Sequence, residues 1–146
     1  MPLKNYSTEV EAERSLQQIQ QKLVKHGARS IRVDYSPDGE PAALSFMIPT
    51  KETELPFRLP ANIAKVQAVL MRERAPGWRH QGQAARVAWR ILRDWVDAQL
   101  AIIETEMVSL QEVFLPYMIV KGTKLTVYEL MSSQGYLLTE GKPEAG

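Results

Sequence analysis

The chain has 146 residues, of which 45% are hydrophobic and 24% charged, and it contains no cysteine. This length and composition predict one globular domain over residues 1–146, with a disordered tail at about 140–146. A formal net charge of +1 argues against a non-specific nucleic-acid coat or a membrane-surface binder, since both usually carry a strong basic excess. The lack of cysteine excludes disulfides and thiolate-ligated metals, and the polar N-terminus shows no signal-peptide core. We therefore expect a cytoplasmic protein.

The first predicted element is an amphipathic helix. Thr8 and Glu11 have the spacing of a capping box, in which each side chain binds a free backbone N–H group at the start of a helix. Apolar residues then recur at helical spacing until Gly27, which is suited to ending a helix.

Three strands follow the first helix. Apolar and polar residues alternate over 31–35 and 44–48, and residues 36–39, Ser-Pro-Asp-Gly, supply the turn of a hairpin. A third alternating stretch, 55–59, contains Pro56. Because proline cannot donate a hydrogen bond to a neighbouring strand, we place this strand at an edge or at a boundary of the antiparallel sheet.

The second half of the chain predicts helices. Pro60 is suited to opening a short helix that ends before residues 75–77, Ala-Pro-Gly. Residues 82–115 predict one long helix, which Pro116 ends. A short strand and a last capped helix are predicted over 117–135, so the fold class is α+β.

The long helix is unusual for a chain of this length. At 1.5 Å per residue it would span roughly 48 Å, more than a compact domain of this size readily holds. It carries two offset apolar faces, one including Ala88, Ile91 and Trp95 and the other Leu92, Val96 and Leu100. A kink would shorten it; otherwise one face covers the sheet while the other meets a second subunit. We therefore expect a homo-oligomer formed through this helix.

Arginines concentrate near the N-terminal end of the long helix. Arg86, Arg90 and Arg93 share one helical face, and Trp89 lies within stacking reach of two of them. Because free backbone N–H groups already make this end of a helix positive, we expect an anion such as a phosphate among the arginines. Trp89 would then stack on a base or ribose. The alternative is that the arginines pair with acidic residues of the same helix and of the first helix across a subunit interface.

Two further segments are candidates for ligand binding. Arg58 lies on the third strand just before the next helix, where an arginine can hold a phosphate or carboxylate but equally suits a surface salt bridge. Trp78 and Arg79 lie in a basic, Gly-rich loop that neither helical nor strand periodicity explains. Such loops often close over ligands or dock on partners. Burial of Trp78 against a neighbouring subunit is the alternative.

Catalytic and metal-binding patterns are missing from the sequence. The two histidines, His26 and His80, do not have the spacing of a metal site or a catalytic triad. Arg74 and His80 have a spacing seen in some ribonucleases, but a proline and a glycine between them interrupt any helix. No Walker, dinucleotide-binding or nucleophile-elbow motif is present. We therefore expect no catalytic residue, no metal and no cofactor, and favour a binding protein over an enzyme.

Three segments carry a resemblance to a known group of proteins. LPFRLPANIAKV, AARVAWRILRDWVDAQLAIIE and VFLPYMIV resemble a family of small hypothetical proteins encoded by bacteriophages, prophages and other mobile elements, over nearly the whole chain. The resemblance implies a protein made in the host cytoplasm during infection or carried in a prophage. The family has no established activity, and no catalytic residue follows from it.

Taken together, the residues and the resemblance favour a non-enzymatic binder of a small phosphate-bearing ligand. In a mobile-element context, such a binder could sequester a nucleotide immune signal and so act in counter-defence. The candidate ligand-binding residues are Arg58, Trp78, Arg79, Arg86, Trp89, Arg90 and Arg93. Two other functions stay open: a single-stranded nucleic-acid-binding accessory protein in phage replication or recombination, and a protein-directed inhibitor of a host enzyme.

Overall fold

A computed structural model describes residues 2–80 and 82–136. The elements in chain order are α1 (Ala12–Lys25), β1 (Arg29–Tyr35), β2 (Pro41–Pro49), β3 (Glu54–Pro60), α2 (Ile63–Glu73), α3 (Gln83–Glu104), α4 (Leu110–Phe114), a 3₁₀ turn (Leu115–Tyr117) and α5 (Val127–Ser133). This arrangement confirms the predicted α+β fold. The tail predicted to be disordered, 140–146, lies outside the described residues.

The three strands form an antiparallel sheet in the order β1-β2-β3. In the pairing of β2 with β3, Phe46 lies opposite Phe57 and their rings stack with centroids 5.3 Å apart. Pro56 lies on the edge strand β3, as predicted. The short strand predicted after Pro116 is reduced to isolated bridges, one of which joins Phe57 to Met118. This bridge, together with the hydrogen bond from the Ile119 N–H to the Pro56 carbonyl, covers part of the free edge of β3.

The core lies between the sheet and the helices α1 and α3. The periodic apolar residues of α1 are buried there, together with the central residues of β2, β3 and α3. The largest fully buried side chains include Trp89, Phe46, Phe57, Phe114, Leu16, Ile19 and Leu23. Each contributes roughly 1.5–3 kcal/mol through removal of apolar surface from water, so this core is the main source of stability.

The long helix is shorter than predicted, because α3 ends at Glu104 rather than near residue 115. The chain then turns, with Glu106 in the left-handed conformation at φ 63°. Ser109 begins α4 with a reciprocal capping box to Glu112. That Ser-x-x-Glu pattern is the sequence signal for a new helix, and it competes with continuation of α3. The break turns Phe114 back into the core, where its ring packs edge-on against Trp95 at 5.4 Å.

Two predicted helix starts are also wrong. Glu11, not Thr8, is the residue preceding α1, and its side chain makes no capping hydrogen bond. The Thr8 hydroxyl instead accepts from the backbone N–H of Val10 at 3.2 Å. Pro60 ends β3 rather than opening α2, since strand pairing continues through the N–H of Ala61, which donates to the carbonyl of Ala42 at 2.9 Å. The Thr-x-x-Glu capping box predicted for the last helix, α5, is confirmed.

Both apolar faces of α3 find partners within the chain over most of their length, whereas Ile102 near the end of the helix stays 39% exposed. Val96 and Leu100 belong to the main core with α1 and the sheet. Val87 and Ile91, on another side of α3, pack with Leu70 of α2. Contacts within the chain therefore cover most of both faces, and oligomerisation through this helix stays a prediction.

Candidate functional site

The structure separates the seven predicted ligand-binding residues into different places. Trp89 is fully buried, and its indole N–H donates to the carbonyl of Pro41 at 2.8 Å. A side chain enclosed in this way cannot stack on a ligand. The prediction that Trp89 stacks on a base or ribose is therefore wrong.

Arg86, Arg90 and Arg93 lie together on the side of α3 that faces the start of α1. Arg86 pairs with Glu11 at 3.2 Å. Arg93 pairs with Asp94 at 3.0 Å, and Arg90 lies 3.9 Å from the same carboxylate. These pairs match the alternative interpretation of the arginines, except that they form within one chain rather than between subunits.

Asp94 is the carboxylate on which this cluster depends. Partial burial would raise its pKa, but hydrogen bonds from Asn5 and Arg93 and the charges of Lys4 and Arg90 outweigh burial and lower the pKa below its ordinary value. Asp94 is therefore charged at neutral pH and neutralises part of the arginine face.

Arg58 joins the edge strand to the C-terminal segment. Its guanidinium donates to the carbonyl of Lys124 at 3.0 Å and pairs with Glu129 at 2.5 Å. Glu129 also accepts a hydrogen bond from the backbone N–H of Thr126. This bond lowers the pKa of Glu129 more than the charge of Arg58 does. These contacts match the salt-bridge role predicted for Arg58 rather than the role of holding a phosphate.

Trp78 and Arg79 line a cavity of about 810 Å³. The cavity lies between the turn joining β1 to β2, the first turn of α2 and the loop leading into α3. Its apolar wall includes Ala42, Pro60, Ile63, Ala64, Ala84 and Ala85. Polar groups on its rim come from Asn62, Gln67 and His80. We name it the loop cavity.

Backbone turns hold the loop of the cavity in place. The N–H of Trp78 donates to the carbonyl of Ala75 at 3.0 Å, and its carbonyl accepts from the side-chain amide of Gln67 at 3.1 Å. Gly82 follows with φ 88°, and a Cβ there would lie 3.2 Å from the Glu40 carboxylate. Only glycine suits this position without strain. The loop is thus anchored to α2 on one side and closely approached by the hairpin on the other.

The charges of the loop cavity are mixed. The Arg79 guanidinium lies 4.7 Å from the centroid of the Trp78 ring, and it forms no ion pair within the described parts of the chain. Opposite, the Ser36 hydroxyl and the Glu40 backbone N–H both donate to Asp38 and lower its pKa. The rim therefore offers the Arg79 guanidinium, which has no carboxylate partner in the described residues, together with the carboxylates of Asp38 and Glu40.

The sequence pattern indicated the loop but not the residues that lie opposite it in the cavity. Trp78 and Arg79 were predicted because periodicity does not explain them. Asp38 was predicted only as part of a turn, and Gln67 of the second helix was not singled out. No sequence signal links these residues, because the fold brings together segments some 40 positions apart in a chain of 146 residues.

Two kinds of feature are absent from the residues that the structure describes, a metal-binding cluster and a membrane-spanning helix. Within residues 2–80 and 82–136, no group of three or more His, Asp or Glu side chains is gathered as a metal ion would need. Over the same ranges, none of the helices combines the length and the apolar character required to cross a membrane.

The chain was compared with family models, with curated proteins and with solved structures. None of these comparisons finds a match. The resemblance to proteins of mobile elements therefore stays a prediction from the sequence, and the geometry of the loop cavity is the basis for a functional assignment.

Proposed function

We propose that this protein is a non-enzymatic binder of a small phosphate-bearing ligand, and that the ligand occupies the loop cavity. One observation carries the proposal. Arg79, without a carboxylate partner in the described residues, lies beside Trp78 in the lining of a cavity whose wall is mainly apolar. A cavity of about 810 Å³ falls within the roughly 300–1,000 Å³ typical of small-ligand sites.

Each part of the cavity suits a different part of a nucleotide-like ligand. A guanidinium binds phosphate oxygens through paired N–H groups. Trp78 offers an aromatic surface for a base, and the carboxylates of Asp38 and Glu40 are acceptors for sugar hydroxyls or amino groups. In a mobile-element context, binding of this kind would sequester a nucleotide signal of host defence.

The test is a direct search for the ligand. The protein is purified, denatured, and the released small molecules are identified by mass spectrometry; nucleotide mixtures are then titrated by calorimetry. Loss of the Arg79 charge should weaken binding of a phosphate-bearing ligand by about tenfold or more. We therefore expect Arg79→Ala to lose affinity.

The matched control is Arg32→Ala. Arg32 is an exposed arginine of β1 that pairs with Asp34, away from the loop cavity. Arg32→Ala should leave binding unchanged. If no nucleotide binds to the wild type, or if Arg79→Ala binds as well as Arg32→Ala, the proposal is wrong.

Binding of single-stranded nucleic acid has less support. The arginines that would track a phosphate backbone, Arg86, Arg90 and Arg93, are already engaged with Glu11 and Asp94. Salt dependence separates the two functions, because several phosphate contacts give a steep decrease of affinity with salt and a single recessed ligand gives a shallower one.

A further inference from the structure

The outer side of β1 is an open edge of the sheet. The strand order is β1-β2-β3, so β1 and β3 are the two outer strands. The C-terminal segment covers part of the β3 edge through the bridge from Phe57 to Met118. Within the described residues, no bridge and no backbone hydrogen bond is made along the outer side of β1. Unpaired N–H and C=O groups on such an edge can pair with a further strand.

The unpaired backbone groups include those of Val33 and Tyr35. The Ser36 N–H donates to the Glu40 carbonyl at 2.9 Å, so the backbone of Ser36 faces the chain that continues into β2. The register irregularity next to it places its extra residue in β2, so the alternation along β1 is kept. Because the N–H and C=O groups of successive residues in a strand point to opposite sides, Tyr35 and Val33 face away from β2.

The side chains of β1 divide into an apolar and a charged face. Val33 packs against the main core, and the Tyr35 hydroxyl donates to Glu13 of α1 at 3.1 Å. Tyr35 nevertheless stays 54% exposed. Arg32 and Asp34 lie on the opposite face, where they pair with each other at 3.2 Å and their side chains are 71% and 45% exposed. Both faces are therefore available to a strand that joins this edge.

The sequence of β1 is complementary to itself. Residues 31–35, Ile-Arg-Val-Asp-Tyr, alternate as apolar, cation, apolar, anion, apolar. In two antiparallel copies paired about Val33, Arg32 of each copy lies opposite Asp34 of the other, and Ile31 lies opposite the exposed Tyr35. Val33 then exchanges both backbone hydrogen bonds with its counterpart. Arg32 and Asp34 form the non-hydrogen-bonded pairs, in which the Cα atoms are only about 4.5 Å apart and the side chains are close.

Neighbouring registers do not have this charge match. Centring the antiparallel pair one position earlier places Arg32 opposite Arg32, and one position later places Asp34 opposite Asp34. Like charges directly opposite each other destabilise a strand pair. Ser30, in the left-handed conformation at φ 53°, and the turn at 36–39 limit the pairing at its two ends. The charges therefore favour the single register about Val33.

We infer that a second copy of this chain docks on β1, so that the two sheets form one continuous antiparallel sheet in a symmetric dimer. A two-fold contact uses the same edge of both copies and is closed at two chains. This surface differs from the α3 contact predicted from the sequence. Arg32 also lies outside the lining of the loop cavity, so Arg32→Ala should weaken the dimer without weakening ligand binding, and either proposal can fail without the other.

The first experiment uses the unmodified full chain. Sedimentation velocity at protein concentrations up to about 1 mM should show a monomer that converts to a dimer. Amide hydrogen exchange, followed by NMR, should slow for the N–H groups of Val33 and Tyr35 as the dimer forms. The N–H of Asp34, which faces β2, should be protected at every concentration. A chain that stays monomeric throughout, or a dimer in which Val33 and Tyr35 exchange as fast as in the monomer, would refute the inference.

Charge reversal tests the register. Arg32→Asp and Asp34→Arg each place like charges in both cross-strand pairs, so each variant alone should dimerise more weakly by about tenfold or more. Mixing the two variants restores opposite charges in both pairs, and the heterodimer should regain the wild-type affinity. This recovery also shows that both variants are folded.

The matched control for charge reversal is Glu52→Arg. Glu52 is exposed and lies outside β1, so the same change of charge there should leave dimerisation unchanged. Wild-type affinity of either single β1 variant, or no recovery when the two are mixed, would overturn the pairing about Val33.

Discussion

Trp89 and Trp78 show how much the surroundings of a residue decide its role. Both are tryptophans near arginines in the sequence, and both were candidates for stacking on a ligand. Trp89 is fully buried with its N–H bonded to the Pro41 carbonyl. Trp78 is half-buried at the edge of a cavity, with Arg79 beside it. Only the second tryptophan is available to a ligand.

Replacing Trp89 should therefore change stability rather than binding. Trp89→Phe removes the indole N–H, leaves the buried carbonyl of Pro41 without its donor, and opens a small cavity. We expect the free energy of unfolding to fall by about 1–3 kcal/mol, measured by urea denaturation.

Trp78→Phe is the matched control for this prediction. Within the described residues the indole N–H of Trp78 makes no hydrogen bond, since only its backbone groups are engaged. Its unfolding free energy should change by less than about 0.5 kcal/mol. Equal loss in the two variants would contradict the contrast between a core tryptophan and a cavity tryptophan.

At the scale of elements, the break between α3 and α4 determines how the core closes. A continuous helix from 82 to 115 would carry Phe114 away from the sheet along the helix axis. Instead, the turn after Glu104 and the Ser109 cap redirect the chain. The Phe114 ring then packs edge-on against Phe46 at 6.1 Å and against Trp95 at 5.4 Å. One short helix thus completes an aromatic cluster over β2 and β3.

Phe114→Ala tests the contribution of this short helix. Phe114 is fully buried, so its truncation should cost about 3–5 kcal/mol of unfolding free energy. Leu115, the next residue, is 45% exposed, and Leu115→Ala should cost less than about 1 kcal/mol. Thermal or urea denaturation measures both. A similar small loss in both variants would mean that α4 does not close the core in solution.

At the scale of the whole molecule, ionised carboxylates join segments that are distant in sequence. Asp94 holds the N-terminal residues Lys4 and Asn5 to α3. Asp97 joins α3 to α1 through Lys22. Glu129 attaches α5 to the edge strand. Hydrogen bonding to Lys22 lowers the pKa of Asp97, and the pKa values of Asp94 and Glu129 are lowered as well.

These lowered pKa values predict loss of stability in acid. Carboxyl groups of the unfolded chain have ordinary pKa values near about 4. As the pH falls, they therefore bind protons at a higher pH than the same groups do in the folded chain. The stabilisation is therefore complete above about pH 4 and is lost as the pH falls through the lower folded values. We expect the urea midpoint to fall steeply below about pH 4.

Asp94→Asn should lower the midpoint at neutral pH and flatten its decline in acid. Glu52→Gln is the control, because Glu52 is exposed and, within the described ranges, its carboxylate forms no ion pair. An acid profile of Asp94→Asn as steep as that of Glu52→Gln would exclude Asp94 as a source of the pH dependence.

Much of the architecture was predictable from the sequence because its signals are local. The helical spacing of Leu16, Ile19 and Leu23 places α1, and strand alternation with a turn places the hairpin. Pro56 indicated an edge position for β3, because proline has no N–H to donate to a neighbouring strand. Each of these signals operates within a few residues of the chain.

The candidate sites were predictable only in part. The sequence drew attention to Trp78 and Arg79, since local periodicity left them unexplained. It did not place Asp38 and Gln67 beside them. It also could not show that Trp89 turns inward. Those outcomes depend on how α1, α2 and α3 pack around the sheet, because packing brings together side chains from distant segments and decides which of them stay open to solvent.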